Sequence, residues 1–284
     1  SRLSSRPSCG KGIHDSCGCS HNILLQGREA VEFYLGSNAP HWLDRCPYPL
    51  FVSRTRLARR KKLPKAIIPW CLDSGAFTEI ATHGKWTISE AEYASFINRY
   101  SDEIGNLVWA APQDWMCEPD MLDKTGLTIK EHQYRTIESY LKLRDLTETP
   151  VIPVLQGWDL ENYLDHIEQY SQAGVDLKSM DTVGLGSVCR RQDTRYAESI
   201  VAYLSQLGLS LHAFGFKLTG LKTTGHLLKS ADSMAWSYNA RKNPPIEGHS
   251  HKSCGDCMEW ALRWREKAMR AIARSHAAQL PMLV

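Results

Sequence analysis

Two aspartates near the polar ends of apolar runs carry the strongest chemical signal in this chain: Asp73 in PWCLDSGAF (Pro69 to Phe77) and Asp232 in SADSMAWSYNAR (Ser230 to Arg241). A carboxylate in such a place can attack an electron-poor carbon or carry a proton for a reacting group. Ser74 and Gly75 follow Asp73 directly, so the chain turns sharply there; an aspartate that only caps its own turn is the competing reading. Three further runs end in the same manner: LVWAAPQDW brings Asp114, VIPVLQGW brings Gln156, and TVGLGS brings Gly184 and Gly186. A carboxylate with a carboxamide supplies the acceptors and donors needed to read the edge of a purine-like base. Glycines allow the backbone to approach such a ligand closely.

A second constellation lies near the C-terminus. HSHKSCGDC offers His249, His251, Cys254 and Cys257. The Cys-x-x-Cys spacing lets both thiolates reach one ion across a tight turn, His251 stands three residues before the first, and His276 at the far end of the following helix is the expected fourth ligand. Thiolate with imidazole points to tetrahedral Zn2+ in a structural role. Cys9, Cys17 and Cys19, with His14 and His21, are the raw material for a second site, although their spacing matches no known knuckle.

Positive charge is unevenly placed. SRTRLARRKK (Ser53 to Lys62) holds six cations in ten residues, and Arg190, Arg191 and Arg195 follow the glycine-rich run. On the terminal helix Arg263, Lys267, Arg270 and Arg274 form one stripe opposite a packing face of Ala261, Trp264, Ala268 and Ala271. A stripe of a single sign suits phosphates better than a solvated face, which normally mixes signs.

The elements needed to gather these residues are apolar strands alternating with helices. EFYLG, PLFVS, LHAFGFK and DSMAWS join the runs above to give about eight strands. Ser89 opens a helix with Glu90 and Glu92 in its first turn, a long helical stretch covers Ile129 to Leu146, and apolar residues recur at helical spacing after Asp159 and after Arg195. The pattern predicts an α/β fold, a (β/α)8 TIM-like barrel with a C-terminal zinc-binding helical subdomain, and barrels of this kind collect their chemistry at the strand C-termini. The expected divisions are a Cys/Ser-rich tail or cap over 1–28, the barrel over 29–241 and the metal-binding helical unit over 242–284.

Composition limits the alternatives. With 284 residues, 43% of them hydrophobic, and a mean hydropathy of −0.36, the chain reads as a globular protein with no apolar run of about 20 residues to span a bilayer. An intracellular, cytoplasmic location is expected. Nine cysteines are an odd count; Cys46, Cys71, Cys117 and Cys189 stand alone beside apolar or aromatic residues as packed thiols.

Taken in order, these segments resemble the tRNA-guanine transglycosylase superfamily, and within it the DpdA branch that inserts 7-deazaguanine bases into DNA. DSGAF is similar to the superfamily's DSGGF, VLQG to its VQGG, GLGS to its base-contacting strand end, and the terminal Cys-x-x-Cys with a later histidine to its zinc subdomain. FYLGSNAPHWL, LDSGAFTE, APQDWMCEP and DSMAWSYNAR are similar to the DNA branch, and the resemblance runs from about Glu32 to His276.

The resemblance implies exchange of guanine in double-stranded DNA for a 7-deazaguanine such as 7-cyano-7-deazaguanine. Asp73 and Asp232 would be catalytic, with one of them forming a glycosyl-enzyme. Ser74, Asp114, Gln156, Gly184 and Gly186 would hold the base, His251 (or His249), Cys254, Cys257 and His276 the zinc, and Arg241, Arg263, Lys267, Arg270 and Arg274 the nucleic acid. Trp115, Trp158 and Trp236 are candidates for stacking on a flipped base. Accessory DNA-modification proteins are left open as partners. Two departures stand out: the tRNA enzymes have their nucleophile three residues after the position of Asp232, where this chain has Ala235, and a third zinc cysteine where it has Lys252. A tRNA-directed transglycosylase and a non-catalytic zinc-dependent nucleic-acid-binding barrel are the alternatives.

Overall fold

The computed structural model describes residues 31–188 and 195–279, so the N-terminal Cys/His cluster, Cys189, Arg190 and Arg191 lie outside the described residues. Eight strands form one sheet: β1 (Glu32–Ser37), β2 (Leu50–Ser53), β3 (Trp70–Asp73), β4 (Leu107–Ala110), β5 (Val154–Leu155), β6 (Val183–Leu185), β7 (Leu211–Ala213) and β8 (Ser230–Ser233). Their order is β4-β3-β2-β1-β8-β7-β6-β5, and every pairing is parallel. The two ends of this curled sheet meet at a parallel bridge between Ala110 and Val151, where Ala110 N–H donates to Pro150 O at 2.9 Å. The expected strand number, direction and curvature are therefore all found.

The helices are α1 (Arg54–Leu57), α2 (Ala76–His83), α3 (Glu90–Ile104), α4 (Pro119–Thr125), α5 (Ile129–Leu146), α6 (Leu160–Gln172), α7 (Arg195–Gln206), α8 (Leu218–Thr224), α9 (Ala235–Lys242) and α10 (Met258–Ala277). Local chemistry sets several of their starts. Ser89 caps α3 by accepting Glu92 N–H at 3.2 Å, and Thr128 with Glu131 forms a capping box on α5.

Alternation along the strands divides the core in two. Phe33, Leu35, Val52, Leu72 and Leu185 face the helices and join the main apolar cluster. Tyr34, Phe51, Cys71, Trp109, Val154 and Phe214 form a separate cluster enclosed by the sheet. The buried His212 stands in that inner layer, its ring 4.9 Å from Trp109 and 4.8 Å from Phe214 between centroids. One inward step further along the strands, the residues become polar or small, and there the floor of a cavity begins.

Helix α10 shares the main cluster through Ala261, Trp264, Ala268 and Ile272, with Trp264 against Phe33 of β1 at 6.0 Å. Ile272 completes this face, whereas Ala271 is only half-buried.

The basic segment after β2 is not uniformly a surface feature. Arg54 is buried, donating to Glu79 at 2.5 Å and to Ser74 O at 3.1 Å, while Arg56, Arg59 and Lys61 are exposed. Burial opposes ionisation of Glu79, but Thr87 and Arg54 outweigh it and hold the carboxyl below its usual range. The pair thus fixes the turn that follows Asp73. Arg54→Met leaves a buried carboxylate and a carbonyl without their cation, and a stability loss of about 3–5 kcal/mol is expected in denaturant unfolding. A loss below about 1 kcal/mol would remove Arg54 from this role.

Candidate active site and metal centre

A cavity of about 400 Å3 opens at the C-terminal end of the strands, with Asp73, Asp114, Glu118, Gln156, Gly186 and Asp232 in its wall. Asp73 ends β3, and its Oδ1 accepts Gly75 N–H at 3.1 Å. Gly75 has φ 84°, and a Cβ there would lie 2.7 Å from Thr55 Cγ2, so only glycine fits the turn. The capping role and the cavity role therefore coexist in one side chain. Burial pushes the Asp73 carboxyl up and the charge of Asp232 adds to this, against the hydrogen bonds from Gly75 and Ser53.

Asp232 sits on β8. Its Oδ1 accepts Gly215 N–H at 2.9 Å, and His212 Nε2 lies 3.4 Å from the same oxygen. Ser230 Oγ holds His212 Nδ1 at 2.8 Å. Ala235, where the tRNA enzymes carry a carboxylate, is the first residue of α9 and is half-buried.

Asp114 is buried and pushed up to about 7, first by desolvation and then by the charge of Asp73, with the Gln156 hydrogen bond opposing. Gln156 Nε2 lies 2.6 Å from Asp114 Oδ2. Gly186 is dictated by this contact, since a Cβ there would come within 2.3 Å of Gln156 Nε2. Two expected base contacts act at one remove instead. Gly184 lies beneath Phe214, whose ring would meet a Cβ at 2.6 Å, and Phe214 takes its place in the cavity wall. Ser74 is fully buried with its hydroxyl 3.5 Å from Asp114 Oδ1, so it supports Asp114.

Glu118, Ser187 and Phe77 also line this cavity, and sequence reasoning passed over all three. Glu118 lies four residues after Asp114 in QDWMCEP and Ser187 ends GLGS, so both were within quoted segments. Nothing in residue type marked them, because the loop that turns Glu118 inward has no periodicity. Phe77 lies in the first turn of α2 and is half exposed at the cavity wall.

The C-terminal cluster brings His249, His251, Cys254 and Cys257 together, their ligand atoms all within 4.8 Å of one another. His251 Nε2 lies 3.0 Å from Cys254 Sγ and 3.2 Å from His249 Nδ1, and Cys257 Sγ lies 3.7 Å from His249 Nδ1. A tetrahedral ion with bonds of about 2.0–2.3 Å separates its donors by roughly 3.3–3.8 Å, so this donor set suits a metal ion. Glu259 holds the other ring nitrogen of His249 at 3.0 Å, an outer carboxylate of the kind that orients a metal-bound imidazole. The expected fourth ligand needs correction. His276 lies near the far end of α10, against His226 with ring centroids 6.2 Å apart, because a 20-residue helix is about 30 Å long and carries it away from the cysteines. Both histidines of the loop occupy the group in its stead.

The chain matches the family model described as DpdA, DeoxyPurine in DNA protein A, over residues 30–281. It belongs to the DpdA family. This is the DNA-transglycosylase branch of the tRNA-guanine transglycosylase superfamily, so the chain is a transglycosylase-type enzyme whose substrate is DNA. No curated protein matches the sequence. The family match spans the cavity, the cysteine loop and all of α10, and it agrees with the DNA branch expected from LDSGAFTE and APQDWMCEP.

Other expected contacts of this DpdA-family chain are distributed unequally. Arg263, Lys267, Arg270 and Arg274 are exposed along α10, but Arg263 pairs with Glu259 at 2.5 Å and Arg270 approaches Glu266 at 3.8 Å. The stripe is thus partly neutralised within its own helix. Arg241 donates to Ser237 Oγ at 2.7 Å and lays its stem against Gly255, tying α9 to the cysteine loop. Trp236 is buried, stacked on Trp42 and donating to Gly36 O at 2.8 Å, so it packs and is not available for a base. Trp115 is nearly buried beneath Arg135, and Trp158 is half-buried. Among the described residues no helix is long and apolar enough to cross a membrane.

Proposed function

We propose that this protein replaces guanine in DNA with a 7-deazaguanine, such as 7-cyano-7-deazaguanine, through a covalent aspartyl intermediate. The observation that carries the reading is the meeting of Asp73 and Asp232 in one cavity with Asp114 and Gln156. Its volume falls within the range of small-ligand sites, roughly 300–1,000 Å3. A duplex guanine reaches such a cavity only after flipping out of the stack.

Asp232 is the proposed nucleophile. One of its oxygens bonds to C1′ as the C1′–N9 bond breaks, and Asp73 delivers a proton to the departing guanine. The raised affinity of Asp73 for its proton fits that role. The 7-deazaguanine then attacks C1′ through N9, its N9 proton passes to Asp73, and the ester bond breaks to restore the Asp232 carboxylate. Two inversions give net retention, and no ATP is consumed. Asp114 and Gln156 hold the base edge, while Phe77 is placed to contact the extruded nucleotide. The loop metal is proposed to be one structural Zn2+ that fixes α10 and takes no part in the chemical steps.

Incubating the protein with duplex DNA and 7-cyano-7-deazaguanine, followed by nucleoside mass spectrometry, tests the reaction. The expected result is a modified deoxynucleoside with stoichiometric release of guanine. Incorporation into tRNA in preference to DNA, or into neither by folded protein, would defeat the proposal.

The α10 cations are proposed to contact the phosphate backbone, with Arg59 and Lys61 as a second contact. The K267A/R270A variant should weaken DNA binding uniformly across sequences and reduce the slope of log K against log salt by about 2. An unchanged slope would make the stripe a solvated face.

A further inference from the structure

His212 is a fully buried polar side chain in the aromatic layer that the sheet encloses, and the chemistry proposed above makes no use of it. The rings of Tyr34, Phe51, Trp109 and Phe214 surround it at centroid distances of 4.8–5.9 Å. Strand register places it there. His212 on β7 stands opposite Ser230 on β8, and Asp232 follows two residues later on the same inward face. The imidazole therefore lies between a hydroxyl and a carboxylate, with Ser230 Oγ 2.8 Å from Nδ1 and Asp232 Oδ1 3.4 Å from Nε2. The second contact is longer than a formed hydrogen bond, so Nε2 is buried with its bond still unmade, and Asp232 is the acceptor before it.

Counting hydrogens shows which nitrogen carries the proton. Among the described residues Ser230 Oγ has no hydrogen-bond partner besides His212 Nδ1. With the proton on Nδ1, the serine hydroxyl would lack an acceptor, and a bare Nε2 lone pair would face Asp232 in apolar surroundings. A ring protonated on both nitrogens leaves that hydroxyl equally without an acceptor. With the proton on Nε2 alone, Ser230 donates to Nδ1, and Nε2–H is available to the carboxylate. Ser230 thus sets the tautomer, as the partner of one ring nitrogen does for the other.

Asp232 Oδ1 also accepts Gly215 N–H at 2.9 Å, whereas no described residue hydrogen-bonds Oδ2. We infer that His212, held by Ser230, is a positioning residue: with Gly215 it keeps Oδ1 in a two-donor cradle, so that Oδ2 is the oxygen that bonds C1′ and later leaves as a stabilised carboxylate. The inference rests on the base-exchange reading with Asp232 as nucleophile. In the DNA complex the 3.4 Å contact shortens to a hydrogen bond, as contacts in active sites commonly do when substrate binds.

The balance of the reaction is unchanged. Oδ2 gains its bond to C1′ as C1′–N9 breaks, guanine takes a proton from Asp73, and His212 keeps its own. What His212 alters is the relative stability of the two states of Asp232. The carboxylate loses its negative charge on becoming an ester and regains it when the incoming base attacks C1′. A donor on Oδ1 stabilises the charged carboxylate more than the neutral ester carbonyl. The cradle therefore disfavours the adduct and speeds its breakdown, which keeps the enzyme from stalling on DNA.

Covalent trapping tests this, because losing the donor and losing the fold act in opposite directions. The protein is incubated with duplex DNA and a fixed concentration of guanine, without a 7-deazaguanine, then denatured to count the DNA attached to it. His212→Phe fills the space of the ring without the donor. For equal amounts of DNA-bound protein, its ratio of covalent to non-covalent DNA should rise roughly fivefold to tenfold. An unchanged or lower ratio would overturn the inference alone, whereas a folded, DNA-binding parent that forms no adduct would overturn the aspartyl ester as well. The parent protein supplies a second measurement that needs no variant to fold. Nitrogen-15 NMR at neutral pH should show the His212 proton on Nε2 and none on Nδ1. A proton on Nδ1 would refute the cradle whatever the trapping shows.

Discussion

Asp73→Asn and Asp232→Asn should each reduce base exchange by at least about a thousandfold, roughly 4 kcal/mol of barrier, while the thermal midpoint changes little. Both carboxylates line the same cavity, and each is held by a backbone N–H, from Gly75 and Gly215 respectively. The amide keeps the acceptor oxygen for that N–H, so the fold loses little. It can neither form a glycosyl ester that leaves readily nor carry the proton, so the chemistry loses nearly everything. The two variants should differ in what they accumulate. Guanine loss is slowed in both, but Asp73→Asn retains the nucleophile, so the covalent DNA adduct that does form is expected on Asp232 and none is expected in Asp232→Asn. Activity within about tenfold of the parent in either variant, or an adduct mapped to Asp73, would require the roles to be reassigned.

Removing the loop metal is expected to have the largest effect on stability. Purified protein should contain about one zinc per chain, and Cys254→Ser should lower soluble yield before it lowers turnover per folded molecule. The four donors come from a mostly exposed loop between α9 and α10, so a bound ion would supply what the loop lacks. Four-ligand sites of this kind contribute directly to folding. Loss of even ~4 kcal/mol would lower Tm by about 10 °C in a domain of this size. His276→Ala is the informative partner, because it should keep the zinc in full. Metal lost on changing His276, or retained without Cys254, would refute the ligand set of His249, His251, Cys254 and Cys257.

The parts that were legible in the sequence share one property: their signal is local. Strand after strand ends in a polar or glycine residue, and an alternating inward face means that the last inward residue of each run reaches the cavity. Asp73, Asp114, Gln156, Gly186 and Asp232 could therefore be picked out one at a time, with no contact known. Ser89 and Thr128 announce α3 and α5 by the same local logic, since a hydroxyl three residues before a free N–H caps a helix whatever the rest of the chain does. The Cys-x-x-Cys loop is also self-contained, and its two histidines lie within eight residues of Cys257.

Tertiary structure decided what depends on distance through space. Residue type cannot tell a cation that enters the core from one that stays in water, so Arg54 looked like its neighbours until Glu79 and Ser74 came to meet it from elements further along the chain. His276 seemed available to the cysteines because both belong to one segment, yet the rigid rise of α10 separates them. Gly184 and Gly186 looked like two examples of one feature. Phe214 over the first and Gln156 over the second divide them, because the space a missing Cβ leaves is taken by whichever side chain the neighbouring strand delivers. The polar chain beside Asp114 was the least visible of all. Its members come from three separate strand ends, and only when the sheet curls do Asp114, Gln156, Ser187 and Glu118 stand within hydrogen-bond reach.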